Sequence, residues 1–177
     1  MHSSFSKKSS YNFSKAVIAS LLAVCSVNIN AATATNNLSV TATVAASCII
    51  TTNAVAFGAY DPIVANKTAN LDSTGTVTVT CTNGSVNTIT LGQGANATVG
   101  STDALPLRQM AATTNRLSYQ LYTDAARLVV WGNTVGAGIA RTGNGVADPL
   151  TVYGNVTAGQ NVPAGSYSDT VVATVTF

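Results

Sequence analysis

Tyr167-Ser168-Asp169-Thr170-Val171-Val172-Ala173-Thr174-Val175-Thr176-Phe177 closes the sequence and decides how the rest of it is read. In an extended chain Val171, Ala173, Val175 and Phe177 fall on one face and Val172, Thr174 and Thr176 on the other, the period of two of a strand with one face against a core. A strand that ends the sequence has no successor to pair with its outer edge, and an open edge needs a partner. A second stretch of the same period stands near the other end, where Leu38, Val40, Ala42 and Val44 alternate with Ser39, Thr41 and Thr43. Together they predict a sheet short of one strand and an arm able to fill the gap in another copy.

The arm follows an export signal. Lys7, Lys8 and Lys15 precede the apolar run Ala16-Val17-Ile18-Ala19-Ser20-Leu21-Leu22-Ala23-Val24, which is too short, and too soon broken by Asn28 and Asn30, to cross a bilayer. Small residues from Ala31 to Ala34 place cleavage between 31 and 34, so that residues 1–31 are signal, 32–46 the arm and 47–177 the folded domain. Leu22-Ala23-Val24-Cys25 approaches a lipid-attachment pattern, but Val24 is too large for it. Removing the signal takes three of the eight Lys and Arg, leaving five against six Asp, and turns the formal net charge from +2 to −1. Those five, Lys67, Arg108, Arg116, Arg127 and Arg141, are scattered singly, which argues against a nucleic-acid surface.

The exported chain holds no His and no Glu, because His2 leaves with the signal. A His-based metal site and a Ser-His-Asp relay are therefore excluded, no cofactor is expected, and an enzyme is not. Asp61-Pro62 and Asp148-Pro149 read as turn starts, since neither has a second carboxylate at calcium-ligand spacing. Loss of Cys25 leaves Cys48 and Cys81, an even pair in an exported chain and the expected setting for a disulfide. They lack the C-x-x-C spacing of a redox pair.

Strand patterns recur along residues 47–177, separated by Gly, Asn, Asp and Pro. Val77, Val79 and Cys81 alternate with Thr76, Thr78 and Thr80, and Asn83-Gly84 follows as a tight turn. Further strands are predicted over residues 86–91, 117–122, 128–131 and 150–153, with a glycine-broken loop at 92–100 and a turn at 124–126. No long stretch has helical period. Only 8% of residues are charged, so the surface is polar without charge. Short strands, regular turns and no helix predict an all-β, immunoglobulin-like sandwich of one domain. Trp131 and Tyr119, which could stack a sugar ring, lie in apolar strand patterns and read as core.

Several stretches, in order, resemble the spore coat protein U family, subunits of archaic chaperone-usher pili such as Csu pili. They are Cys48, Phe57-Gly58-Ala59-Tyr60-Asp61-Pro62, Cys81-Thr82-Asn83-Gly84, Leu117-Ser118-Tyr119-Gln120-Leu121-Tyr122, Trp131-Gly132, Val152-Tyr153-Gly154 and Ala164-Gly165-Ser166-Tyr167, with Phe177 at the end. The resemblance implies a sandwich lacking its last strand. A periplasmic chaperone fills the gap first, and at an outer-membrane usher the arm of the next subunit replaces it. Carried over by position, Leu38, Val40, Ala42 and Val44 are the donor residues, and Val171, Ala173, Val175 and Phe177 form one wall of the acceptor groove. The expected role is a structural, shaft-forming subunit that serves attachment and biofilm at the bacterial surface. A minor, tip-proximal adhesive or carbohydrate-binding subunit, or a secreted coat-like protein, is the alternative.

Burying four apolar side chains, at about 25 cal/mol per Å², with a row of main-chain hydrogen bonds is worth about 5 kcal/mol or more. Head-to-tail insertion does not close on itself and so builds a filament. The same alternation over residues 38–44 would also suit an ordinary first strand of a self-contained sandwich.

Overall fold

The computed structural model describes residues 30–177, and the predicted export signal, Cys25 included, lies up to residue 29 outside the described residues. The chain divides into two units, Met1–Thr41 and Ala42–Phe177. Residues 30–41 of the first unit form no helix or strand and are exposed, Leu38 by 88% and Val40 by 86%.

The second unit is built from eight strands: β1 (Cys48–Asn53), β2 (Leu71–Cys81), β3 (Val86–Leu91), β4 (Arg108–Ala112), β5 (Asn115–Tyr122), β6 (Ile139–Thr142), β7 (Asp148–Val156) and β8 (Ala173–Thr176). One short 3-10 turn, Val135–Ala137, precedes β6. All named pairings are antiparallel. They make a five-stranded sheet in the order β1-β2-β7-β5-β4 and a three-stranded sheet in the order β6-β3-β8. The fold is the expected all-β, immunoglobulin-like sandwich, with sheets of unequal width.

Period-two patterning explains which face each strand turns inward. Val77 and Val79 of β2, Leu150, Val152 and Val156 of β7, and Leu117, Tyr119 and Leu121 of β5 point into the core from the wide sheet, and Ile89 and Leu91 of β3 meet them from the narrow one. The threonines between them on β2 face outward. Trp131 fills the space between the layers with no exposed surface, and its indole N–H donates to the Ile89 carbonyl at 3.0 Å. Cys48 stands directly opposite Cys81 across β1 and β2, and the two are disulfide-bonded with Cα atoms 4.1 Å apart.

Some expectations needed correction. Residues 128–131 do not form a strand; Val130 makes only an isolated bridge with Tyr122. Asp124 instead draws this stretch into a loop, its carboxylate accepting the Leu128 and Val129 N–H groups at 3.1 and 2.8 Å. Asp148-Pro149 opens β7 and is not a turn. Proline is tolerated there because β5 pairs with β7 only from Tyr153 onward, leaving one side of residue 149 without a partner strand. Asn83-Gly84 does turn the chain, but it carries it from the wide sheet to the narrow one, so β2 and β3 are not a hairpin. Strands β1, β4 and β6 lack clean alternation and had no sequence expectation. Asp61 does start a turn, accepting the Ile63 and Val64 N–H groups at 2.9 and 3.0 Å.

The regular C-terminal strand is shorter than its alternation suggested, four residues, because its earlier part runs beside the glycine-broken loop after β3. Residues 168–172 still hold ladder-like bonds: Gly92 N–H to the Val172 carbonyl at 2.9 Å, Ala95 N–H to that of Thr170 at 3.1 Å, and a two-way exchange between Ser168 and Ala111.

Candidate functional site

The narrow sheet leaves part of the wide sheet uncovered, and there a groove of about 1050 Å³ opens. That volume is at or above the roughly 300–1,000 Å³ of small-molecule sites. Its floor is core: Leu71, Val77, Val152, Val156, Leu117, Tyr119, Leu121 and Met110. Residues 52–60, 62 and 63 form one wall and residues 161–169, 171 and 173 the other.

The first wall begins with the last two residues of β1, and beyond Asn53 it joins no sheet. It lies close on the floor because β2 and β7 carry glycine there. A Cβ on Gly75 would come within 2.7 Å of the Asn53 carbonyl oxygen and of Val55, and one on Gly154 within 2.6 Å of Val55 and 2.8 Å of Phe57. Tyr60 ties this wall to the segment after β7, its hydroxyl donating to the Thr157 carbonyl and accepting the Gln160 N–H, each at 2.9 Å. Gln160 in turn locks onto β5 through both main-chain groups of Ser118, at 2.7 and 2.8 Å.

The second wall leads into β8, which has β3 on one side and, among the described residues, no strand on the other. Its hydrogen-bond parity follows from the register. Leu91 stands opposite Ala173, and the Gly92–Val172 bond makes the next pair a bonded one. In an antiparallel ladder the main-chain groups of successive residues point to alternate sides. Val172, Thr174 and Thr176 therefore turn theirs to β3, and Val171, Ala173 and Val175 turn theirs to the open side. Side-chain parity agrees: Val171, Ala173 and Val175 pack against the core, and the residues between them face outward.

Of the four residues assigned to the acceptor wall, Val171 and Ala173 line the groove. Val175 packs on the core below it, and Phe177 is 55% exposed and apart from the lining. Of the four donor residues, Leu38, Val40 and Val44 are exposed by more than 80%, and Ala42 is exposed as well. The sequence reading did not assign Val55, Phe57, Tyr60, Met110 or Tyr167 to the groove. Glycine inside two otherwise regular strands was the available signal, since it marks a close approach of another segment.

Two buried polar groups support the groove. Tyr119, 8% exposed, donates its hydroxyl to Asp169 Oδ2 at 2.7 Å. Burial, and next the bond to Asp169, push its ionisation far above that of a free phenol. Arg108, 1% exposed, spreads its guanidinium over the carbonyls of Leu91, Gly92 and Trp131 at 2.7–3.0 Å and over the Gln120 amide oxygen at 2.7 Å. Burial lowers its pKa to about 10, against the opposing influence of Tyr119 and Asp169. No group of three or more His, Cys, Asp or Glu able to hold a metal occurs among the described residues. What the geometry offers is an apolar slot bordered by unused main-chain donors and acceptors, the arrangement that binds an extended strand.

Comparisons agree with this architecture. The chain resembles a solved complex of a chaperone with the tip adhesion subunit, a pre-assembly complex from the archaic chaperone-usher Csu pili of Acinetobacter baumannii, with a TM-score of 0.52 and 23% identity. That match covers 76% of this chain and 40% of the solved one, and it speaks to the fold. Protein U of Myxococcus xanthus is 51% identical over 155 residues, 83% of this chain and 87% of that protein. The family model described as Spore Coat Protein U domain matches residues 34–174, and with the relative at this identity it establishes that the chain belongs to the Spore Coat Protein U domain family.

Proposed function

We propose that this protein is a structural subunit of a surface fibre of the chaperone-usher kind, joined head to tail by strand exchange, with no catalytic role. The observation that carries this reading is the groove beside β8, floored by the core and edged by the main-chain groups of Val171, Ala173 and Val175. Its occupant in the fibre is the arm of a second copy, with Leu38, Val40, Ala42 and Val44 directed to the floor. Seven extended residues span about 23 Å, the reach of a strand. Before assembly the occupant is a strand of a periplasmic chaperone, and the exchange takes place at an outer-membrane usher. A subunit with both an arm and a groove can give and receive, which suits the shaft over the tip, and a fibre of such subunits at the cell surface serves attachment and biofilm formation. The family name favours a second reading, a secreted coat-layer protein.

Electrophoresis of sheared surface material, with and without boiling, tests the proposal. A ladder of multimers that collapses to monomer on boiling is expected, and a single monomer band in the unboiled sample would favour the coat protein. Deleting residues 35–46 is expected to leave a chain that still binds its chaperone but makes no multimers. Normal fibres from that deletion would rule out the donor assignment.

A further inference from the structure

Very little chain joins the proposed donor residues to their own domain. Ser47 is bonded to Thr82 through both of its main-chain groups, its N–H donating to the Thr82 hydroxyl at 3.1 Å and its carbonyl accepting the Thr82 N–H at 2.9 Å. Only Ala45 and Ala46 stand between this anchor and Val44. Three steps of extended chain reach about 11 Å at most. Wherever Val44 seats in another copy, the donor's disulfide-bearing end must therefore lie within that distance of it.

The acceptor decides which of its own ends is involved. The groove is lined by Thr52 and Asn53 of β1 and by Val171 and Ala173, but by no earlier residue of β1 and no later residue of β8, and those two strands come into contact. That end is blind. The other end is rimmed by Pro62 and Ile63 on the first wall and by Pro163 and Ala164 on the second. An arm so shortly tethered to a folded domain fits only with Val44 at the rimmed end. It then runs antiparallel to β8, the sense of every named pairing in this fold.

Two uncharged, rigid surfaces are thereby brought face to face. At the rim, the turn begun by Asp61 is held from below by Asn66, 5% exposed, whose Oδ1 accepts the Asp61 N–H at 3.0 Å and whose Nδ2 donates to the Ala69 carbonyl at 3.1 Å. This turn presents Ile63 and Val64. At the disulfide-bearing end, loops 82–86 and 143–146 are laced by main-chain bonds from Gly84 to Gly143, Gly143 to Ser85 and Gly145 to Cys81, at 2.8–3.0 Å. They present Val86 and Val146. All four side chains are more than 60% exposed, and residues 62–66, 82–86 and 143–147 carry no charge. Side chains already fixed on bonded loops lose little freedom when a matching surface covers them.

From this geometry we infer that the end of each copy bearing Val86 and Val146 seats on the 61–66 turn of the copy that holds its arm, a second joint beside the exchanged strand. The inference rests on the strand-acceptor reading above and adds to it a contact between folded domains. The tether keeps the two surfaces at roughly millimolar effective concentration, so a contact of a few apolar side chains suffices. It turns the short link at Ala45 and Ala46 from a hinge into one angle, repeated from copy to copy.

Paired cysteines test this in fibres sheared from cells that express the full chain. Val64→Cys with Val146→Cys, and Val64→Cys with Val86→Cys, put the two thiols of one chain at opposite ends of its domain, so that they can bond only between neighbouring copies. After oxidation at least one of these pairs is expected to give a ladder that survives boiling and collapses with reductant, while Val64→Cys with Val172→Cys gives monomer on boiling. Val64→Asp, which adds no thiol and lies outside the groove lining, should lower the temperature at which the unboiled ladder collapses by several degrees. A boiling-resistant ladder from neither pair, an equal ladder from the Val172 control, or an unchanged collapse temperature for Val64→Asp would overturn the second joint and leave strand exchange standing. Absence of any heat-sensitive ladder from wild type would overturn the strand-acceptor reading itself, and the second joint with it.

Discussion

Arg108 shows how much of this sandwich hangs on one side chain. A guanidinium buried to 1% exposure is stable only because its donors are taken up by the carbonyls of Leu91 at the end of β3, Gly92 just after it and Trp131, and by the Gln120 amide oxygen. It also ties the end of β3 and the start of the loop after it to β4, and that loop bonds Thr170 and Val172 beside the second groove wall. Arg108→Met keeps the bulk and leaves those acceptors buried without a donor. We expect a loss of about 3 kcal/mol of unfolding free energy in guanidinium titration, in the range found for breaking a buried polar cluster from one side. Arg108→Lys should recover less than half of this, because an ammonium cannot reproduce the planar fork. The Cys48–Cys81 bond acts at the same scale: closing a separation of 33 residues is worth about 3–4 kcal/mol on the chain-entropy account.

At the level of the element, the C-terminal strand is where one-residue parity separates fold from assembly. Val171 lines the groove and its main-chain groups face the open side, whereas Val172 is 66% exposed and bonded toward the loop after β3. Two neighbouring substitutions of identical chemistry should therefore part company. Val171→Asp puts a carboxylate where the proposed donor strand would pack, and multimers in unboiled electrophoresis should disappear. Val172→Asp should assemble as wild type. The stretch at 128–131 teaches the converse lesson. Its apolar run reads as a strand, yet the two N–H bonds to Asp124 bend it away and leave Leu128 81% exposed.

For the whole molecule, the governing fact is five strands facing three. A sandwich with unequal layers has core surface in contact with solvent, and it gains stability from whatever fills the gap. A synthetic peptide of residues 36–46, added to the refolded chain, should raise its melting temperature in a concentration-dependent way, with about 2.7 kcal/mol of added stability at a hundredfold excess over its dissociation constant. A scrambled peptide of the same composition should leave the melting temperature unchanged. A peptide that shifted nothing up to millimolar concentration would argue that the groove does not take this arm.

What could be read from residue order alone was whatever depends on local period and composition. Alternation at Val77, Val79 and Cys81 identified a strand and its inward face, because the side-chain period of a strand is a property of its own backbone, and strand-forming runs between turn residues marked those at 86–91, 117–122 and 150–153. The alternation of Val171, Ala173 and Val175 was legible from the same period, and the paired cysteines from their even number in an exported chain. Which strand joins which sheet was not. Tertiary structure decided that Asn83-Gly84 crosses between layers, that Asp148-Pro149 opens a strand, and that Val55 and Phe57 rest on Gly75 and Gly154 to build a wall. It also brought Arg108, Tyr119 and Asp169 together from positions up to 61 residues apart. Each of these depends on groups distant in sequence competing for the same space and the same hydrogen-bond partners, a competition that no local pattern records.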